Sequence, residues 1–433
     1  MNTGGKRGTG TPRALRMLVT AFVLFATFLS CAWAAPASTL LKSDFQLGGQ
    51  WRVNSTARLL AGLAPWYPGH YAFAQTDAWR EHSALMQAAW SQLRAGRVAA
   101  IGAWRNEQIP ANCAGNKTLL YPFSGPDFFN AFWLFPDCDN YVMFGLEHIG
   151  DVPDVDAMSE RDFNRLLLDV RSATADVFMR NYFITENMTR QLHTPQLRGV
   201  VPLITISMAL SGAEILRMTP QGLGRSSSAA SPGAPSPESP KLVSLRKPRG
   251  IAIDFRVPGS PAVKRLIYYS VDVTDASMGK YPEFLAYLRK FEPSTMLLKS
   301  ASYLLHSHDF SRLRQTLLDV SGFLVQDDSG LPYRMLVTQG WQVRLHGSYA
   351  VPIPPFERAF QPALHAAYQV EHPDSLPFAF GYSFQDQRDD RANMMIGRKV
   401  AVASAPRSVA ALGTSMRNSM PGARLKYSAM QAR

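Results

Sequence analysis

The chain has 433 residues, of which 46% are hydrophobic and 18% charged, a composition that supports one large or two ordinary globular domains. Its net charge of +12 is concentrated in residues 1–34, 219–249 and 404–433, which carry +4, +4 and +5. Because the rest of the chain is close to neutral, it lacks the basic footprint of a nucleic-acid-binding protein.

The first 34 residues have the three parts of a secretory signal peptide. Basic residues come first, an apolar run spans residues 18–29, and residues 32–34 (Ala-Trp-Ala) form a small-residue cleavage pattern before Ala35. We therefore expect an exported protein, periplasmic or extracellular, with no transmembrane segment in the mature chain, because the apolar run is short for a bilayer. A lipoprotein anchored through Cys31 and an uncleaved anchor are the alternatives.

Two cysteines, Cys113 and Cys138, follow the predicted signal peptide. Lone cysteines in an oxidising compartment are expected to pair, so the sequence predicts a disulfide between them. The alternative is two buried thiols. Neither cysteine has the spacing of a zinc or redox motif, and no metal site is predicted.

The first half of the chain predicts four features in order. A helix begins near Thr76, and residues 119–146 predict a strand, a tight loop, a short aromatic helix and a second strand. A long helix begins after Ser159, where Asp162 completes a near capping box, and can extend to about residue 187. Residues 200–208 are rich in β-forming side chains and are predicted as a strand.

The second half predicts a hairpin of residues 213–218 and 251–257, interrupted by a Ser- and Pro-rich segment. We interpret residues 219–249 as a disordered insertion, the alternative being a linker between two domains. Further strands are predicted at 266–273, 323–325, 333–337 and 341–345, and helices at 282–290 and 300–320, the latter broken near His308. The resulting fold class is α/β, a mixed sheet flanked by helices in a single domain over residues 35–403, with a disordered basic tail at 404–433.

Two candidate site clusters belong to the central stretch. Ser124 and Asp127 lie in the loop that leaves the first strand, which is where open α/β sheets bind ligands, although both can simply cap the following helix. This loop matches no phosphate-binding or nucleophile-elbow motif. Glu147 follows the next strand and is either a base or hydroxyl-binding group or an ordinary surface acid.

Two further clusters come from the second half. Lys299, Ser302 and His306 share one face if their segment is a regular helix, forming a possible acid–base set, while a lone helical histidine is more often structural. Asp327 and Asp328 follow a strand, where paired acids can bind a cation or a sugar hydroxyl, and they also suit an ordinary turn. We expect all four clusters to converge at one edge of the sheet.

Three segments of these clusters, FSGPD, KSASYLLH and QDDSG, resemble those of a family of exported bacterial proteins of unknown function, in which similar segments recur in this order. The resemblance covers about residues 75–400. It implies that the clusters belong to one unit, and it brings no activity, cofactor or substrate with it.

Two classes of function remain open from the sequence. The first is a ligand-binding protein or hydrolase-type envelope enzyme with a polar site at the strand ends, acting on a small molecule or an envelope component. The second is a non-catalytic envelope accessory or structural protein, in which the same residues are caps and turns. No pattern in the chain points to a particular cofactor.

Overall fold

A computed structural model of the chain describes residues 48–109, 117–180, 192, 194–223, 249–352, 354–382 and 392–400. All of them belong to one compact unit that contains a nine-stranded mixed sheet with helices, so the predicted α/β class is confirmed. The predicted signal peptide, the centre of the predicted insertion and the predicted basic tail lie outside the described residues.

The strands are numbered in chain order and hydrogen-bond in the order β3-β4-β5-β2-β1-β6-β7-β9-β8. Strands β5, β2, β1, β6 and β7 are parallel and form the centre, while an antiparallel pair completes each side. The bounds are β1 Thr118–Pro122, β2 Asn140–Gly145, β3 Glu214–Gly222, β4 Arg249–Arg256, β5 Val263–Ser270, β6 Ser294–Leu298, β7 Ser321–Gln326, β8 Trp341–Gly347 and β9 Asn393–Lys399.

Helices cover both faces of the sheet. The described α-helices are α1 Gly48–Leu60, α2 Asp77–Leu93, α3 Ala99–Gln108, α4 Phe128–Leu134, α5 Glu160–Arg180, α6 Val201–Leu210, α7 Asp275–Lys280, α8 Pro282–Arg289, α9 Ser311–Val320, α10 Tyr333–Thr338 and α11 Pro362–Glu371. A π-helical turn, Arg94–Val98, joins α2 to α3, and 3₁₀ turns precede α9 at Ala301–His306 and His308–Phe310.

The strands are apolar on both faces because helices bury each side. Leu119 and Tyr121 of β1 belong to one hydrophobic cluster with α1 to α6, whereas Leu120 between them belongs to a second cluster with α7 to α10. Alternate side chains of a strand point to opposite faces, which explains this division. Parallel strands buried on both faces read as continuous apolar runs, as β1 does.

Most of the predicted elements are confirmed. Thr76 caps α2 by accepting a hydrogen bond from the Trp79 amide, and Ser159 accepts one from the Asp162 amide at the start of α5. The predicted hairpin is β3 paired with β4, with Gly222 opposite Arg249, so the strands on either side of the insertion belong to one sheet.

Two predicted strands are wrong. Residues 200–208 belong to helix α6, which is buried on almost every side, so its apolar pattern has no period that separates a helix from a strand. Pro202 lies in its first turn, where the missing N–H costs no helical hydrogen bond. Residues 333–337 belong to α10, a helix of six residues, too short to show a helical period.

Candidate functional site

The sheet has a point where the order of its parallel strands reverses direction. From β1 the chain continues to β2 on one side, and it later returns to place β6 on the other side of β1. In open α/β sheets, ligands bind in the crevice at the carboxyl ends of the strands at such a point. Here the loops that follow β1, β6 and β7 meet at that edge.

A buried ion pair joins the first two of these loops. The Nζ atom of Lys299, after β6, lies 2.7 Å from Oδ2 of Asp127, after β1, and the two side chains are 2% and 3% exposed. Tyr121 donates its hydroxyl to the same oxygen at 2.8 Å, and the Asn130 side-chain amide donates to both carboxylate oxygens. Asp127 also caps α4 by accepting from the Asn130 backbone amide.

Lys299 is a fully buried cation. Desolvation lowers its pKa, and the negative charge of Asp127 acts in the opposite direction. A buried charge is tolerated when it is paired and hydrogen-bonded, which is the situation of this pair. Asn130 is itself fully buried, and its side-chain oxygen has no hydrogen-bond partner among the described residues, so the pair lies beside an unsatisfied acceptor.

Asp327, after β7, is connected to the same cluster through Ser300. The Ser300 amide donates to Oδ2 of Asp327 at 3.0 Å, and the Ser329 amide and hydroxyl both donate to Oδ1. Desolvation, followed by repulsion from Asp328, raises the pKa of Asp327 to about 7. The backbone of Gly381 covers the carboxylate so closely that a Cβ there would lie 1.9 Å from Oδ2.

Asp328 is hydrogen-bonded to a different set of side chains from Asp327. Its carboxylate accepts from the hydroxyl of Tyr303 and, at 2.9 Å, from the side-chain amide of Asn393 in β9. Its own backbone amide donates to the Asn393 side-chain oxygen at 2.7 Å. The Tyr303 ring stacks on Phe356 with centroids 4.3 Å apart, so Asp328 borders an aromatic wall.

Arg97 is a charged neighbour that the sequence analysis missed. It lies in the π-helical turn and donates to the carbonyls of Val177 and Phe178 in the last part of α5, at 2.8 and 3.0 Å. Desolvation lowers its pKa to about 10, opposed by the negative charge of Asp127. Single π-helical turns often occur at functional sites, but no residue pattern in this chain announced one.

Four of the predicted site residues converge as expected. Asp127, Lys299, Asp327 and Asp328 lie at the ends of three adjacent strands. The ion pair and the Ser300 amide join the first three, and Asp328 follows Asp327 in the chain with its own hydrogen-bond partners. These contacts make them one buried cluster, which we call the switch-point cluster.

Ser302 and His306 do not form the predicted acid–base face with Lys299. Their segment is a 3₁₀ turn that begins at Ala301, after Lys299, and therefore lacks the spacing of a regular α-helix. Ser302 accepts a hydrogen bond from the Lys299 backbone amide at 3.1 Å, and Nε2 of His306 lies 2.8 Å from the Gly330 carbonyl. Because burial lowers the pKa of His306 to about 4, its imidazole is neutral and holds the loop after β7 in place.

Ser124 and Glu147 each have a hydrogen-bond partner of their own. The Ser124 hydroxyl donates to the carbonyl of its neighbour Gly125 at 3.2 Å. Glu147 accepts from the hydroxyl of Tyr268 at 3.1 Å, and Tyr268 belongs to β5, on the side of β2 away from β1. The hydrogen bond to Tyr268 ties Glu147 to β5, so the expectation that it joins the other groups in one pocket stays a prediction.

A second constellation of serine, histidine and aspartate lies near the first helix. Nδ1 of His70 lies 2.8 Å from the Ser55 hydroxyl, and its Nε2 lies 3.3 Å from Asp156. Ser55 is fully buried and already accepts the Tyr67 amide at 3.0 Å, so its oxygen fastens a turn onto α1. This arrangement explains the loop structure without a catalytic role.

Neither a family model, nor a curated protein, nor a solved structure matches this chain at a significant level. Within the described ranges, no helix is both long and apolar enough to cross a membrane. The same ranges contain no group of three histidine, cysteine or acidic side chains arranged to hold a metal ion.

Cys138 is buried, while its predicted partner Cys113 lies outside the described residues, so the disulfide stays a prediction.

Proposed function

We propose that the chain is an exported hydrolase-type enzyme whose active site is the switch-point cluster. The observation that carries the proposal is the convergence of Lys299, Asp127 and Asp327 from three adjacent strand ends at the reversal point of the sheet. Buried ionisable groups gathered at such an edge are typical of functional sites. The signal-like N-terminus supports export.

The chemistry of the cluster fits proton transfer. A general base works best when its pKa is close to the working pH, and the Asp327 pKa of about 7 meets that condition. In this proposal the Lys299 ammonium, desolvated and held by Asp127, stabilises negative charge that develops on a substrate oxygen. Together they supply the two functions that hydrolysis requires, a base and an electrostatic stabiliser.

The alternative is a non-catalytic envelope protein in which these residues only hold the loops together. The N-cap formed by Asp127 and the hydrogen bonds that satisfy Asp328 favour this alternative. The two functions differ in what mutation does. Loss of a structural network lowers stability in proportion to the bonds lost, whereas loss of a base abolishes turnover regardless of stability.

A substrate panel with matched variants tests the proposal. The full chain, purified after export with its own N-terminus, is assayed with chromogenic esters, phosphoesters, glycosides and amides. We expect hydrolysis of one class, and a loss of at least 100-fold in Asp327→Asn. The control is Asp319→Asn, which changes an exposed acid near the amino end of the same strand, β7, and keeps wild-type activity. No hydrolysis of any class, or equal activity in the two variants, contradicts the proposal.

A further inference from the structure

Ser300 has a backbone conformation that serine rarely adopts. It follows β6 by two residues and precedes the 3₁₀ turn Ala301–His306, with φ 61° and ψ −94°. A left-handed angle of this kind in a residue other than glycine resembles the rare, strained γ-turn and costs about 1–3 kcal/mol. Strain of this size is retained where surrounding structure enforces it, and such positions cluster at active sites.

The hydroxyl of Ser300 is also unusual. The residue is 6% exposed, and its Oγ atom has no hydrogen-bond partner among the described residues. Buried hydroxyl groups are nearly always bonded, so an orphaned one requires an explanation. The amide nitrogen of the same residue lies 3.0 Å from Oδ2 of Asp327, so the candidate base contacts the backbone of Ser300 and not its hydroxyl.

The other serines near the cluster are occupied. Ser124 donates to the Gly125 carbonyl, and Ser329 donates to Asp327. Ser302 accepts from the Lys299 amide. Of these four serines, only Ser300 combines an unbonded hydroxyl with a sharp turn between a buried parallel strand and a helical segment. A sharp turn directly after a strand is also where α/β hydrolases carry a nucleophilic serine, with the difference that their hydroxyl is exposed and that of Ser300 is buried.

We propose that Ser300 is the catalytic nucleophile and that the substrates are carboxylic esters, hydrolysed through an acyl-serine intermediate. This inference rests on the proposed function and deepens it. The residues around Ser300 do not match the GxSxG pattern. The inference does not require that pattern, because Ser300 itself adopts the left-handed backbone angle.

The reaction balances with the groups of the cluster. Once the Ser300 side chain turns toward Asp327, Oγ forms a bond to the carbonyl carbon and passes its proton to that carboxylate, while the π electron pair moves to the carbonyl oxygen near Lys299. The intermediate collapses, the carbon–oxygen bond to the alcohol breaks, and the alcohol oxygen takes the proton from Asp327. Water then loses a proton to Asp327 and attacks the acyl carbon, and Ser300 leaves with that proton, giving acid, alcohol and free enzyme.

A fluorophosphonate probe tests the nucleophile directly. We expect one probe per chain by intact mass, on the peptide that contains Ser300, as Oγ forms a bond to phosphorus and fluoride departs. Ser300→Ala and Ser300→Gly should both lose labelling and p-nitrophenyl ester hydrolysis at least 100-fold. Ser300→Gly should in addition melt at a higher temperature than Ser300→Ala, because glycine adopts a positive φ without strain.

Ser294→Ala is the matched control, since it removes a buried hydroxyl at the amino end of the same strand, where Ser294 donates to the Val320 carbonyl. It should keep labelling and hydrolysis. Labelling at another residue, or ester hydrolysis that survives in Ser300→Ala but not in Asp327→Asn, overturns the nucleophile and leaves the proposed function standing. Hydrolysis that survives in both variants overturns both.

Discussion

At the scale of single residues, the Lys299–Asp127 pair is the most sensitive contact in the cluster. Replacing Lys299 by Met removes an ammonium 2.7 Å from a carboxylate that is 3% exposed, which leaves the negative charge buried without its partner. We expect the free energy of unfolding to fall by about 3–5 kcal/mol, measured by urea denaturation. Lys290→Met, at an exposed position, should change it by less than about 0.5 kcal/mol. A loss below about 1 kcal/mol for Lys299→Met would show that the pair is not ionised.

Asp327 makes stability depend on pH in a defined direction. Its pKa is about 7 in the folded chain and about 3.9 in an unfolded one, so between these values the folded state holds a proton that the unfolded state has released. Its contribution to the free energy of unfolding is therefore complete below about pH 4. Between pH 4 and pH 7 that contribution is lost, by about 1.4 kcal/mol per pH unit. Urea denaturation of wild type and Asp327→Asn should show the difference between their free energies of unfolding changing by about 2 kcal/mol from pH 5 to 7. A constant difference would contradict the raised pKa.

At the scale of elements, the segment between α11 and β9 contacts Asp327 of the cluster at Gly381. Gly381 has φ +68°, and a Cβ there would lie 1.9 Å from Asp327, whereas Gly340 has φ +79° and nothing within 4 Å of its Cβ position. Alanine at Gly340 should cost only the left-handed strain, about 1–2 kcal/mol. Alanine at Gly381 should cost more and reduce hydrolysis, because it displaces the carboxylate. Equal melting temperatures for the two variants would show that the contact between Gly381 and the Asp327 carboxylate has room for a methyl group.

The register of the β3–β4 hairpin allows a much shorter connection between its strands. Gly222 and Arg249 are partners in the register, so a two-residue Asn-Gly turn in place of residues 223–248 can join them. We expect this variant to fold and to gain up to about 2 kcal/mol, because closing a shorter loop costs less entropy. Circular dichroism and thermal melting provide the measurement. Loss of the folded state would show that the replaced residues contribute to the core.

At the scale of the whole molecule, export and the two cysteines belong together. If the chain is exported, Cys113 and Cys138 should form a disulfide, which closes a loop of about 25 residues and contributes roughly 3 kcal/mol. Mass spectrometry of exported, unreduced protein after alkylation should show no modified thiol at either position. Two alkylated cysteines under these conditions would contradict the prediction, and reduced protein provides the positive control.

Local patterns explain why much of the fold was predictable. Short local patterns predict several elements. They include the caps at Thr76 and Ser159, the apolar run of β1 and the alternating residues of β4. Helix α6 was missed because a segment buried on almost every side has no amphipathic period. The carboxylates and the lysine of the site were found for a related reason, since polar residues directly after apolar strands stand out in a sequence.

The sequence by itself determined the α/β class, most of the elements and the loops in which a site was expected, because these depend on short-range periodicity, turn chemistry and composition. Only the tertiary structure decided which loops meet. The reversal of strand order at β1 brings Asp127 beside Lys299, while Glu147 is hydrogen-bonded to Tyr268 of β5. The tertiary structure also set the backbone angle of Ser300 and left its hydroxyl unbonded, since both arise from contacts between segments that are distant along the chain.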